Sequence, residues 1–239
     1  MTLSEPEIGA LLATLARVGG LAATAPVIGD QGVTSRARLV FVLAVTAAIG
    51  PSRAPVTLAA LPAIATAELA IGLVTGLTAR VVMARVAVAG QLMGLSLGLG
   101  FAAQYDMHAG ESAGVVRTLL TTLASLAFLA CGGLEAIVRS AAAGPADISQ
   151  LAALGPAFVR HATSAFGHGV SLAAPILLAA FVGNIALAVM NRAAPAVNVF
   201  SIALGAVLVL GGGVLMATAA QLIGSLTATA RVAIDALGG

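Results

Sequence analysis

Three charged residues, Arg17, Glu68 and Arg85, stand inside stretches that are otherwise apolar. A charge at bilayer depth costs roughly 2.5–3.5 kcal/mol on insertion scales, so it takes a partner or water. The chemistry open to this set is ionic. The three could line a proton or ion path, or pair at a helix or subunit contact. Arg85 has a further option, which is to lie near a helix end and extend its head to the interface. Catalytic chemistry has no comparable support. His108, His161 and His168 fall in or beside predicted loops, at a spacing that fits no metal site. Gly211-Gly212-Gly213 is followed by no Lys and sits within a predicted helix, so it is no phosphate loop. No nucleophile–base pair and no paired carboxylates in a polar setting are visible. Neither an enzyme nor a metal or cofactor is expected.

A second set is made of small residues. Gly90, Gly94 and Gly98 recur every fourth position on one helix face, and Gly72 and Gly76 do so on the preceding segment. This spacing lets helix backbones approach closely. The partner is either another helix of the same chain or a neighbouring subunit.

The elements that must carry these residues follow from composition. Of 239 residues, 60% are hydrophobic and 8% charged, where a soluble domain carries about 25% charged. The mean hydropathy is +1.09. A water-soluble globule could not cover its surface with so little charge, and a disordered chain or nucleic-acid binder is excluded on the same ground. All 11 basic residues are Arg, and with 9 acids the net charge is +2. The single Cys131 lies in an apolar run and reads as a small packed hydrophobe. There is no Trp and one Tyr, so the usual interfacial aromatic belt is nearly missing.

Residues 86–105, 118–134, 161–191 and 193–230 contain no Asp, Glu, Lys or Arg. About 20 apolar residues cross a bilayer as a helix. The runs are continuous rather than alternating, which excludes a β-barrel, and they lack the polar stripe of a soluble bundle. The expected fold is all-α, built of membrane-type helical hairpins. Punctuation by Gly and Pro predicts helices over 8–28, 37–50, 56–79, 81–104, 113–139, 172–191 and 198–229. Residues 140–169 are expected to be a connection holding a short amphipathic helix near 147–163. Residues 8–28 read as a retained helix rather than a cleaved signal, because Glu5 and Glu7 lead it and Arg17 interrupts its apolar core. Seven spans with the N-terminus outside would place Arg53, Arg117 and Arg192 outside as well. That weak bias suggests that some apolar helices do not cross lipid.

Several ordered segments resemble one family. The sequence Asn191-Arg192-Ala193-Ala194-Pro195-Ala196-Val197-Asn198, with Ala174-Pro175 and Asn184 before it, resembles the signature of the FliR family and its type III secretion counterpart, SctT. Arg17 with Ala25-Pro26-Val27-Ile28-Gly29 resembles its N-terminal element, which Arg36-Ala37-Arg38-Leu39 follows, and Glu68 with Gly72 and Gly76 resembles its second helix element. Gly90-Gln91 and Gly98-Leu99-Gly100-Phe101-Ala102-Ala103-Gln104-Tyr105-Asp106 resemble its third. The resemblance covers about residues 8–215. Departures are Met107 where a Pro is usual, Cys131-Gly132-Gly133 where a polar triplet is common, and Ala196 where Gln is common.

The resemblance implies a core subunit of the flagellar type III protein export gate in the bacterial inner membrane, at the flagellar basal body. Its partners would be FliP-like and FliQ-like subunits, an FlhB-like subunit, membrane lipid and exported unfolded polypeptides, with no nucleic acid. Residues 1–170 would be a FliP-like part, and residues 171–239 a FliQ-like hairpin and tail. Residues 101–110 would be the plug, with Phe101, Tyr105, Asp106, Met107 and Gly110 as its characteristic positions. Gly72, Gly76, Gly90, Gly94, Gly98, Arg192, Pro195 and Asn198 would serve subunit packing, and Arg17, Glu68 and Arg85 would be buried charges. The injectisome counterpart shares these motifs. The alternative is a stand-alone polytopic transporter or permease subunit with the three charges as substrate or proton ligands.

Overall fold

The computed structural model describes residues 4–50, 55–97, 114–144, 148–193 and 199–238. Among these residues the chain forms eight helices and no strand. They are α1 (Glu5–Thr24), α2 (Ser35–Ile49), α3 (Leu61–Ser96), α4 (Val115–Ala130), α5 (Gly133–Ala142), α6 (Ile148–Ala193), α7 (Val199–Ala217) and α8 (Ala219–Gly238). The all-α, membrane-type reading holds. Glu5–Thr24, Leu61–Ser96 and Leu151–Ala193 are long and apolar enough to cross a membrane. Two further bent helix pairs bring the count among described residues to five if each pair is one span.

Local chemistry sets the ends. The Glu7 carboxylate accepts from the Ser4 backbone N–H at 2.7 Å and from its hydroxyl at 2.8 Å, closing a capping box at the start of α1. Glu5 and Glu7 in the first turn also match the positive end of the helix dipole. Thr34 caps α2 by accepting from Ala37 N–H at 3.4 Å.

Two helices are longer than the punctuation suggests. Residues 56–79 and 81–104 are predicted as separate helices, but α3 runs unbroken from Leu61 to Ser96. Arg80 does not break it, because its side chain reaches sideways to the carbonyl of Gly29 and the carboxylate of Asp30. The predicted connection over 140–169 is in large part the first half of α6, which continues through Pro156, Gly167, Gly169 and Pro175. Apolar surroundings leave the backbone no better partner than its own helix, so such residues are tolerated there. Gly169 has a packing reason as well. A Cβ on it would lie 2.7 Å from Cγ1 of Val88. His161 and His168 accordingly stand on a helix, not in a loop.

Two predicted helices are broken instead. The segment 113–139 bends by 60° between α4 and α5. Gly132 there adopts φ +89°, which L side chains rarely take, and a Cβ on Gly133 would lie 2.6 Å from Cζ of Phe128. The segment 198–229 bends by 62° between α7 and α8. At that break the Thr218 hydroxyl bonds back to the Val214 carbonyl at 2.8 Å.

The helices form two compact units. The first comprises Met1–Met83, Ala127–Ser164 and Ala230–Gly239. Its core gathers Val18, Leu21, Val45, Val82, Phe128 and Ile137, all under a tenth exposed. The second comprises Ala84–Leu126 and Ala165–Thr229. There the later part of α3 meets α4 where Gly90 faces the Arg117 backbone, α6 where Val88 faces Gly169, and α7 where Leu97 faces Gly211.

The bend at residue 132 generates a prediction. Gly132→Ala forces a Cβ into the left-handed region and destabilises the chain by about 1–2 kcal/mol. Gly144→Ala, at an open position, changes stability by less than about 0.5 kcal/mol. Thermal denaturation of the purified chain in detergent compares the two.

Candidate functional site

The most distinctive chemistry lies where α1 crosses α3 in the first unit. α1 turns Gly9, Ala13, Thr14, Arg17, Gly20 and Leu21 inward. At the crossing, a Cβ on Gly20 would lie 2.7 Å from the Leu69 carbonyl oxygen and 2.9 Å from Leu73 N. A Cβ on Gly72 would collide with the Arg17 carbonyl oxygen and lie 3.1 Å from Leu21 N. One turn on, a Cβ on Gly76 would lie 2.9 Å from Ala25 N. The two backbones are therefore in direct contact, which only glycine permits on both sides. The Thr24 hydroxyl adds a polar tie, 3.0 Å from the Gly20 carbonyl oxygen and 3.1 Å from that of Leu73.

This contact places Arg17 beside Glu68. Arg17 Nε donates to Glu68 Oε2, and both side chains are almost fully buried, at 2% and 1% exposure. Arg17 Nη1 also donates to the Ala143 carbonyl at 3.1 Å, at the C-terminal end of α5. That end is the negative pole of the helix and favours a cation. Three elements thus meet on one guanidinium. A buried ion pair is weak evidence for stability in itself, but removing one partner leaves an uncompensated charge.

Beside the pair lies a cavity of about 920 Å³. Its lining includes Arg17, Thr75, Thr78, Arg139, His161 and Asp235. At its rim Arg139 donates to Glu135 at 2.6 Å in an exposed pair, which contributes little to stability. The Thr78 hydroxyl is turned back onto the Val74 carbonyl at 2.7 Å.

Of the three buried charges, the structure brings Arg17 and Glu68 together. Arg85 belongs to the second unit, 8% exposed on α3. Gly72 and Gly76 are used inside the chain against α1, and Gly90 against α4, where its Cβ would lie 2.6 Å from Arg117 Cα. Gly94 has ordinary room, 3.9 Å from Val116 Cβ. Arg192 is exposed in the last turn of α6. Gly98, Phe101, Tyr105, Asp106, Met107, Gly110, Pro195 and Asn198 lie outside the described residues.

Sequence reasoning missed the cluster that closes the α1–α2 link. Arg38 and Arg80 both reach the backbone of residues 28–30. The signal was present in part, since Arg38 and Arg80 flank apolar runs and Asp30 is the one acid between Glu7 and Glu68. Nothing in the sequence marks the Ala143 carbonyl as a ligand for Arg17.

Comparison with known proteins adds a family and named relatives. The family model described as bacterial export proteins, family 1, matches residues 8–231. The chain is similar to the flagellar biosynthetic protein FliR of Caulobacter vibrioides, at 30% identity over 82% of each chain. It is similar to FliR of Escherichia coli at 29% identity, over 82% of this chain and 79% of that one. FliR of Pectobacterium carotovorum matches at 28%, over 82% of this chain and 78% of the other.

The ion pair generates a prediction. Glu68→Ala leaves the Arg17 guanidinium buried without its carboxylate and costs about 3–5 kcal/mol. The double replacement Arg17→Met with Glu68→Leu recovers most of that loss, because no charge is left in the contact. Steady-state level and thermal stability of the membrane-inserted chain read both. Equal losses in the single and double variants would show that the loss does not come from an uncompensated buried charge.

Proposed function

The chain belongs to the bacterial export proteins, family 1, and we propose that it forms part of the channel that passes unfolded flagellar subunits across the membrane. It is a membrane-embedded component of flagellar protein export. In the proposed reading it sits in the inner membrane at the flagellar basal body. There it assembles with FliP-like and FliQ-like subunits and an FlhB-like subunit, and acts as a structural part rather than a catalyst. Residues 1–170 correspond to a FliP-like part, and residues 171–239 to a FliQ-like hairpin and tail whose turn holds Arg192, Pro195 and Asn198.

The apolar surface left uncovered supports a place in the membrane. Leu178, Phe181, Val182, Ile185 and Val189 along α6 are all about half exposed or more, and so are Leu39, Val40 and Leu43 on α2. Surface of this kind is covered by lipid or by protein. What supports a subunit over a self-sufficient transporter is the use made of the buried carboxylate. Glu68 is committed to Arg17 inside the chain rather than turned toward a transported substrate. Since Gly72, Gly76 and Gly90 already have partners within the chain, the proposed contact with other subunits falls to Gly94, Gly98 and the turn at Arg192, Pro195 and Asn198.

The proposed gate is the segment 101–110. Phe101, Tyr105 and Met107 supply apolar bulk, and Asp106 and Gly110 favour turns. An apolar constriction excludes ions by dewetting yet deforms for a polypeptide. Deleting 105–110 is expected to leave the complex assembled and to raise ion conductance across the membrane, read by a potential-sensitive dye in cells. An assembled complex with unchanged conductance would contradict the plug.

A further inference from the structure

The link between α1 and α2 holds a backbone conformation that its sequence does not favour. Val27 has φ +67°, alone among the described non-glycine residues in being positive. Ile28 N–H donates to the Pro26 carbonyl at 2.8 Å, bridging a single residue. That combination is the rarer, strained form of γ-turn. A β-branched side chain is among the least suited to it.

The turn is held from several sides. Ile28 is 9% exposed and belongs to the core of the first unit. Gly29 N–H bonds back to the Ala25 carbonyl at 2.9 Å, and a Cβ on Gly29 would lie 2.7 Å from the Ala23 carbonyl oxygen. The outward carbonyls are then taken by two arginines from different helices. Arg38 of α2 donates Nε to the Ile28 carbonyl at 3.1 Å and Nη2 to the Asp30 carbonyl at 3.2 Å. Arg80 of α3 donates Nη1 to the Gly29 carbonyl at 3.3 Å and Nη2 to Asp30 Oδ1 at 3.2 Å. Three successive carbonyls are thus bound by side chains from outside the turn.

We propose that residues 26–30 are a strained latch, shut by Arg38 and Arg80 and sprung by Val27. With the arginines in place, Val27 is left-handed and Ile28 lies in the core. With them released, Val27 relaxes to an ordinary conformation and Ile28 leaves the core. An element with two discrete packings, biased by contacts from elsewhere, is what a switch requires. The release point is accessible. The Arg80 and Asp30 side chains are 42% and 47% exposed, so a carboxylate of a neighbouring protein can compete for Arg80. The latch ends directly on α1, the helix that carries Arg17, and its two arginines tie it to α2 and α3.

Thiol labelling in native membranes tests the latch. Ile28→Cys is placed in a full-length Cys131→Ala chain, and Ala79→Cys, a fully buried position of the same unit, serves as the control. Labelling of Ile28→Cys follows the population of the open latch. Adding Val27→Gly removes the strain and slows labelling by about tenfold. Adding Arg80→Ala speeds it by about tenfold, and Val27→Gly combined with Arg80→Ala returns the rate to near that of the parent. Labelling of Ala79→Cys stays the same throughout. An unchanged or faster rate with Val27→Gly would overturn the proposal, because the turn would then store nothing. Equal acceleration of both cysteines by Arg80→Ala would also overturn it, because the arginine would then support the whole unit rather than a local switch.

Discussion

The backbone contact between α1 and α3 governs the first compact unit. Gly20 and Gly72 bring the two helices so near that neither position has room for a methyl group. At that separation the Arg17 side chain is buried and meets its counter-charge on the facing helix. Glu68, one turn before Gly72, supplies it. The Ala143 carbonyl then draws the end of α5 to the same guanidinium. Close packing and charge pairing are therefore one constraint. The glycines make the pair possible by distance, and the pair fixes which turn of α3 lies against which turn of α1. In apolar surroundings, where hydrophobic burial discriminates little between helix registers, such a polar contact is the main source of specificity.

The exterior follows a different rule. The helices are apolar on faces the chain leaves uncovered, and α6 carries a run of exposed large side chains on the half that lies in the second unit. A stand-alone transporter and an assembly subunit both present apolar surface to lipid. What favours a subunit here is the modest charge bias and the near absence of interfacial aromatics, together with a family whose members are export proteins. A channel for unfolded chains needs no binding chemistry for a particular substrate. It needs a wall, an apolar constriction and neighbours to close the ring.

The fold class was legible because composition alone forces helices in an apolar medium. The buried charges were legible as a set, since Arg17 and Glu68 interrupt apolar runs, but their pairing was not. It depends on two helices meeting at Gly20 and Gly72, a distance no spacing rule encodes. Helix boundaries failed in both directions. Residues 140–169 were read as a connection, yet Pro156 and Gly169 lie within α6, where glycine serves contact and the surroundings enforce helix. Gly132 breaks the chain because it adopts a positive φ. The left-handed Val27 was invisible, because valine is the residue least expected there.

The proposed hetero-oligomeric export channel needs this chain to assemble with other subunits. Native mass spectrometry of the tagged chain, co-expressed with the FliP-like and FliQ-like proteins of its own organism, tests whether it does. The expected result is a large complex containing all three chains, with this one present as a single copy. A stable homo-oligomer that excludes both partners would contradict it and return Arg17, Glu68 and Arg85 to the role of transport ligands.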